Sequence, residues 1–432
     1  MDAWQPTRAL RRAVGLICLV MIAAVGLGRP DLVVVVAPLV IGTVWALRRR
    51  PDRVPEVTVT VDRVRLAEGE ELTAVARVSN PSRIPLVPVV VATRAGRWLQ
   101  LSDDARPLVG RVPGRGAVDF PIRATAHRWG RHPLGPTVVR AGACDGLLRS
   151  VPQWVDAHEI GVFPVSEQFE ADEAIPRAFG LAGIHRSQRP GEGGELAGVR
   201  PFAPGDRLRR IDWRVSLRTR RLHVTATLSD REAEVVLLLD TLHEAGDSGG
   251  VRGPASVLDV TVRGAAAVAQ HYLRQGDRVA LVEFGPRYRR LPAVSGRTRY
   301  PLVQEWLADT QVVVGPFDPA RWLAQPHLFA PHALIVAFTP LLDERSAELL
   351  ARLARAGRFL VAVDTLPPHA RPQVDSPWRD AGVTLWELAR QNTIDELREH
   401  GVPVVAWRGS GSLDQVLRDV SRMALSARPI AR

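Results

Sequence analysis

Two uninterrupted apolar runs, 13–28 and 32–47, constrain this chain more than any other feature. Only Gly28-Arg29-Pro30-Asp31 separates them, a tight-turn sequence. A backbone in hydrocarbon must satisfy its polar groups internally, which leaves a helix as the economical form for each run. Each would span about 24 Å at 1.5 Å per residue. That is shorter than the ~30 Å hydrocarbon core, and flanking arginines can snorkel to extend it. Arg8, Arg11 and Arg12 precede the first run, whereas Arg48, Arg49, Arg50 and Arg53 follow the second. The positive-inside rule therefore predicts a two-pass hairpin in the inner (plasma) membrane, with helices about 10–28 and 31–48. It places the N-terminus and everything beyond residue 54 in the cytoplasm. A cleaved signal peptide fits less well, because a second apolar run follows at once and no small-x-small site precedes it.

The 432 residues carry a formal charge of +11, yet lysine is absent and all 57 basic residues are arginine. Asparagine occurs only at Asn80 and Asn392. This is the bias of a GC-rich genome, and acids are interspersed among the arginines, so no nucleic-acid partner is expected. Cys18 and Cys144 are too isolated to form a disulfide framework, which suits a reducing compartment.

From residue 55 the apolar period becomes two. Val57, Val59 and Val61 alternate with polar neighbours, as do Leu72, Ala74, Ala76 and Val78, and Val118, Phe120, Ile122 and Ala124. With turns at Glu68-Gly69, Asn80-Pro81-Ser82 and Pro113–Gly116, residues 55–165 read as an all-β sandwich-like domain. Residues 166–232 read as a connector and motif region. Residues 233–426 alternate apolar strands with helical segments, the order of a doubly wound α/β domain. Its expected strands include 235–240, 278–284, 333–338, 359–364 and 402–407, its expected helices 256–275, 343–356, 380–399 and 412–424. The chain is thus multi-domain.

The motif region concentrates Glu195, Arg200, Gly205, Asp206, Arg210, Asp212, Trp213, Arg214, Ser216 and Arg218. This pattern resembles the signature of the domain of unknown function 58 family. Trp129–Pro136 and Gly161–Pro164 are similar to further elements of that family. The resemblance implies a von Willebrand factor A-like domain on a membrane anchor, and association with a MoxR-like AAA+ ATPase and a protein client. It therefore implies a non-enzymatic adaptor or scaffold, with the signature as its docking surface. From the residues alone, Asp206 and Asp212 can accept charge-assisted bonds from Arg200, Arg210 or Arg214, and Trp213 can stack on a guanidinium. The same groups allow a rigid structural knot or a site for an anionic ligand or lipid headgroup. The glycines at 191, 193 and 194 do not follow a strand and open a helix, so they do not read as a phosphate loop.

The A-like resemblance also implies a divalent-cation site at the strand ends, formed by an Asp-x-Ser-x-Ser loop, a Thr and a second Asp. Asp240 matches the first position, but Leu242 and Glu244 replace the serines. The Thr position falls near Phe317 and the second Asp position on Thr339. Leucine and phenylalanine cannot ligate a hard cation, so no metal and no cofactor are expected. A remnant could use Asp240, Glu244 and Thr339, with Thr298 a weaker stand-in. A hydrolytic site at this cleft would draw on Asp240, His243 and Glu244, and no nucleophile stands beside a base elsewhere in the motif.

Overall fold

The computed structural model describes residues 3–102, 106–165, 190–202, 211–228, 234–325, 328–330, 333–371 and 377–407. The chain divides into two compact units, Met1–Phe163 with Gly250–Arg252, and Pro164–Gly249 with Gly253–Arg432.

In the first unit, α1 (Arg8–Gly26) and α2 (Asp31–Arg48) are long and apolar enough to cross a membrane by length and composition. The first begins two residues earlier than its expected start. Thr7 caps it, its hydroxyl accepting from the Leu10 amide at 3.4 Å. Ile22, Val25, Val34 and Val35 are all exposed. So large an uncovered apolar surface fits a lipid environment.

The strands are β1 (Trp4–Pro6), β2 (Glu56–Val61), β3 (Arg65–Ala67), β4 (Glu71–Ser79), β5 (Leu86–Ala95), β6 (Leu99–Leu101), β7 (Leu108–Val112), β8 (Ala117–Ala126), β9 (Gly130–Ala143), β10 (Leu148–Ser150), β11 (Gln153–Val155) and β12 (His158–Phe163). They form a four-stranded sheet, β2-β4-β8-β6, and an eight-stranded sheet organised around β9. Alternate residues of both sheets enter one core: Leu72, Ala74, Ala76 and Val78 from β4, and Val139 and Ala141 from β9. The alternation follows from the pleat, which sends successive side chains to opposite faces.

Sequence reading did not anticipate β1. This strand pairs antiparallel with β10, Trp4 opposite Ser150, and buries Trp4 at 3% exposure in the sandwich core. Around it, the Thr7 hydroxyl donates to the Gly146 carbonyl at 2.8 Å, and the Cys144 thiol donates to the Arg49 carbonyl at 3.4 Å. Ala46 joins the same core, with Leu10 and Leu47 packed against it. The base of the helical pair and the sandwich are therefore one folded body rather than an anchor and a cargo joined by a linker.

The second unit opens with a two-stranded ribbon, β13 (Pro190–Pro201) against β14 (His223–Leu228), enclosing the short helix α3 (Trp213–Thr219). Residues 190–194, expected in a connector, begin β13. A six-stranded sheet follows: β15 (Glu234–Asp240), β16 (Arg278–Phe284), β17 (Arg290–Ser295), β18 (Leu334–Thr339), β19 (Phe359–Asp364) and β20 (Val404–Ala406), in the order β17-β16-β15-β18-β19-β20. All pairs are parallel except β16–β17.

Among the described residues, five α-helices accompany this sheet: α4 (Val257–Gln275), α5 (Tyr300–Ala308), α6 (Pro319–Leu323), α7 (Glu344–Arg355) and α8 (Arg379–Glu399). Val236, Leu238, Ile335 and Ala337 pack on one face with Leu349, Leu350 and Leu353 of α7 and Leu397 of α8. On the other face Gly264 of α4 lies against Phe338, where a Cβ would come within 2.9 Å of the ring. Burial on both faces explains why β15 and β18 are continuous apolar runs. A reciprocal capping box formed by Ser256 and Asp259 starts α4, and Gly276 at φ 92 ends it. The helix expected over 412–424 lies outside the described residues.

Replacing Trp4 with alanine is expected to lower the stability of the first unit by about 3–5 kcal/mol, as for other buried Trp truncations. Pulse proteolysis of the full chain in detergent across a denaturant series would measure it. A loss of less than about 1 kcal/mol would show that β1 does not belong to the sandwich core.

Candidate functional site

The strand order across the second sheet, 3-2-1-4-5-6 in chain sequence, places a topological switch between β15 and β18. There consecutive connections leave in opposite directions, opening a crevice at the carboxyl ends of the strands. Asp240, the last residue of β15, and Thr339, the last of β18, meet at this crevice. Both are buried.

The carboxylate of Asp240 takes three hydrogen bonds from within the protein. Its Oδ2 accepts from the Thr339 hydroxyl at 2.7 Å and from the Ser346 hydroxyl of α7 at 2.6 Å. Its Oδ1 accepts from the Leu242 amide at 3.0 Å. Burial pushes its pKa up, and these three donors pull against that shift. Thr339 Oγ1 in turn accepts from the amide of Leu341, which stands at φ 51. A leucine in the left-handed region stores strain beside the crevice. Asp364 ends β19 in the same manner, accepting from the Leu366 amide at 3.0 Å and pairing with Arg390 at 2.5 Å.

Around this centre the charged groups are paired off. Asp343 caps α7 and accepts from the Arg345 amide at 2.9 Å, from the Arg345 guanidinium at 2.7 Å and from His243 Nε2 at 2.8 Å. The Arg345 guanidinium above all holds this carboxyl well below the usual range. Glu244 turns away and accepts from the Leu258 amide in the first turn of α4 at 3.1 Å. Phe317 packs edge-on against Phe284, with ring centroids 4.8 Å apart. Asp240 and Thr339 therefore come together as the remnant reading requires, and Glu244 does not join them. Asp240 already takes three internal hydrogen bonds, and among the described residues no group of three carboxylate, imidazole or thiolate side chains is gathered to hold a metal ion. The trio Asp240, His243 and Glu244 is also taken apart, each member serving a different partner.

Ser346, Asp343 and Arg345 escaped the sequence reading. A signal existed, since an Asp shortly after a buried strand and before a helical pattern is an N-cap, and its helix begins at the strand-end crevice. A second missed group lies on β16. Glu283 is fully buried and accepts from Arg289 at 2.6 Å. The guanidinium of Arg289 lies 4.3 Å from the Trp306 ring centroid and donates to the Trp306 carbonyl at 2.6 Å. Burial pushes the Glu283 carboxyl up to about 7, against the pull of Arg289.

Of the motif residues, Gly205, Asp206 and Arg210 lie outside the described residues, and Glu195 and Arg200 are described only as backbone of β13. Asp212 is the N-cap of α3, its Oδ1 accepting from the Val215 amide at 3.1 Å. Ser216 is buried and locks α3 onto β14: it accepts from the His223 amide at 2.8 Å and donates to the His223 carbonyl at 3.3 Å. Trp213 is 62% exposed. Arg214 and Arg218 are exposed as well.

Residues 198–327 match the family described as protein of unknown function DUF58. Uncharacterized proteins of Mycobacterium tuberculosis and Mycobacterium bovis are each 36% identical over 118 residues, 27% of this chain. The chain spans only 36% of the length of these curated relatives. Among solved structures, the cupredoxin domain of amoB from Nitrosocaldus yellowstonii is similar at a TM-score of 0.19 and 13% identity, covering 29% of this chain and 98% of its own. Pseudomonas fluorescens alkylpurine DNA glycosylase AlkC is similar at 0.18 and 11%, covering 25% and 30%. Likenesses this low bear on neither fold nor function.

Ser346→Ala should cost about 1–3 kcal/mol by leaving a buried carboxylate short of a donor. In a double-mutant cycle with Asp240→Asn, denaturant unfolding should show coupling of at least about 0.5 kcal/mol; additivity would show that the two side chains do not interact. Glu283 has its own pH signature. Its folded pKa lies above the ordinary value of 4.5, so its contribution is full below that value and is lost as pH rises through about 7. Stability should therefore fall across that window in the wild type, and the slope should flatten in Glu283→Gln. Equal slopes in thermal unfolding of the two proteins would refute this.

Proposed function

We propose that this chain is a membrane-anchored, non-catalytic docking protein whose six-stranded domain, von Willebrand factor A-like in layout, receives a protein partner at the cytoplasmic face. The family resemblance makes a MoxR-like AAA+ ATPase, together with an unidentified client, the partner to test first. One observation carries the docking reading. Helix α8 turns an apolar face outward over its first half, with Leu385 at 67% exposure and Leu388 at 57%. Ala381 is exposed on the same side, and Trp378 just before the helix is 77% exposed. Spacings of three, four and seven residues place these groups along one face. Farther along, Ile394 and Leu397 are buried against the sheet core, so the helix is held firmly while its apolar face stays open. Surfaces of this kind mark interaction sites. The three internal hydrogen bonds to Asp240 favour a structural over a catalytic role for that carboxylate.

The full-length protein would be crosslinked in native membranes and purified with and without ATP. A AAA+ ATPase recovered in a nucleotide-dependent way, and lost on Leu385→Arg, supports the reading. Recovery unaffected by Leu385→Arg, or no ATPase at all, would remove it. Added Mg²⁺ or Mn²⁺ should leave the melting temperature unchanged; a concentration-dependent rise would reveal a cation site by mass action.

A further inference from the structure

The motif helix α3 carries a second exposed surface, of a different chemistry from α8. Trp213 and Leu217 are four residues apart and form one ridge, 62% and 77% exposed. Arg214 and Arg218, also four apart, form the adjacent ridge. Arg220, the C-cap of α3 at φ 54, and Arg221 continue the basic surface, and Leu222 is 46% exposed beside them. All four arginines are exposed, and among the described residues none is in an ion pair. Over residues 195–224 the chain places eight arginines against three acids. The surface is also preorganised. Asp212 caps the helix, and the reciprocal bonds between Ser216 and the His223 backbone hold it on β14.

We infer that this face binds an anionic membrane surface, with Trp213 and Leu217 entering the interface and Arg214, Arg218, Arg220 and Arg221 contacting headgroup phosphates. Three physical facts select lipid as the occupant. First, the charge is complementary: arginine forms bidentate bonds to phosphate, and each basic residue near an anionic leaflet strengthens binding about fivefold. Second, a tryptophan with an apolar body and one N–H donor is the side chain best suited to the headgroup level. Third, the same chain carries two helices long and apolar enough to cross a membrane. A surface so tethered needs little intrinsic affinity, since the tether sets a high local concentration of lipid. A seven-residue helix with two apolar residues would hold a bilayer only weakly without that tether. The inference is independent of which protein docks on α8.

Hydrogen exchange of the full-length protein in nanodiscs tests it. Discs of phosphatidylcholine alone would be compared with discs of equal parts phosphatidylcholine and phosphatidylglycerol. Amides of 213–222 should exchange several-fold more slowly in the anionic discs, and raised salt should remove most of the difference. Charge reversal in R214E/R218E should abolish the protection, R214K/R218K should keep most of it, and Leu217→Ser should reduce it with all charges intact. Unchanged exchange in α4 would show that each variant is folded. Equal exchange of 213–222 in both disc types would overturn the inference. So would protection that appears only when an acidic protein is added, which would identify the face as a protein site.

Discussion

The second unit depends on one buried contact, the carboxylate of Asp240 bridged to Thr339 and Ser346. In a doubly wound sheet the two halves diverge from the switch point, and their carboxyl ends are held only by lateral strand pairing. A carboxylate on β15 that takes a hydroxyl from β18 and another from α7 ties both halves and the covering helix together at the place where they would otherwise part. Desolvation makes this expensive unless the carboxylate is hydrogen-bonded. Three internal donors offset that cost. The contact is therefore a structural joint.

The end that carries the two apolar helices follows the same logic of satisfaction by neighbours. A pair of such helices ending in a flexible linker would leave the sandwich free to move relative to them. Here Trp4 and Ala46 lie in the sandwich core, and Thr7 and Cys144 bond across the junction. The helix bases cannot rotate without disrupting β-sheet pairing.

Much of this was legible in the chain. Period-two alternation located β2, β4 and β8, and continuous apolar runs located β15, β16, β18 and β19, because burial on one face or two writes itself into periodicity. The start of α4 was legible from Ser256. What escaped was short or nonlocal. Three residues of β1 contain Pro6 and no alternation, and only pairing with β10, more than 140 residues away, makes them a strand. Asp240 and Thr339 could be placed at strand ends, but periodicity cannot show that a serine on the next helix reaches the same carboxylate. Glu283 stands inside the apolar strand RVALVEF, and only the fold reveals that Arg289, itself held against Trp306, pairs with it.

The motif shows why residue type alone misleads about role. An aspartate, a tryptophan and several arginines crowded into one stretch invite the picture of a closed knot of ion pairs. Among the described residues, the short helix gives them different surroundings. Ser216 is buried and bonded to the strand, while Trp213, Arg214, Leu217 and Arg218 are exposed. Asp212, at the cap, is occupied by a backbone amide. The residues that fix the helix and those that stay exposed are interleaved in sequence. A substitution at Ser216 would thus release the helix from β14, whereas one at Trp213 would change its exposed surface and leave the helix in place.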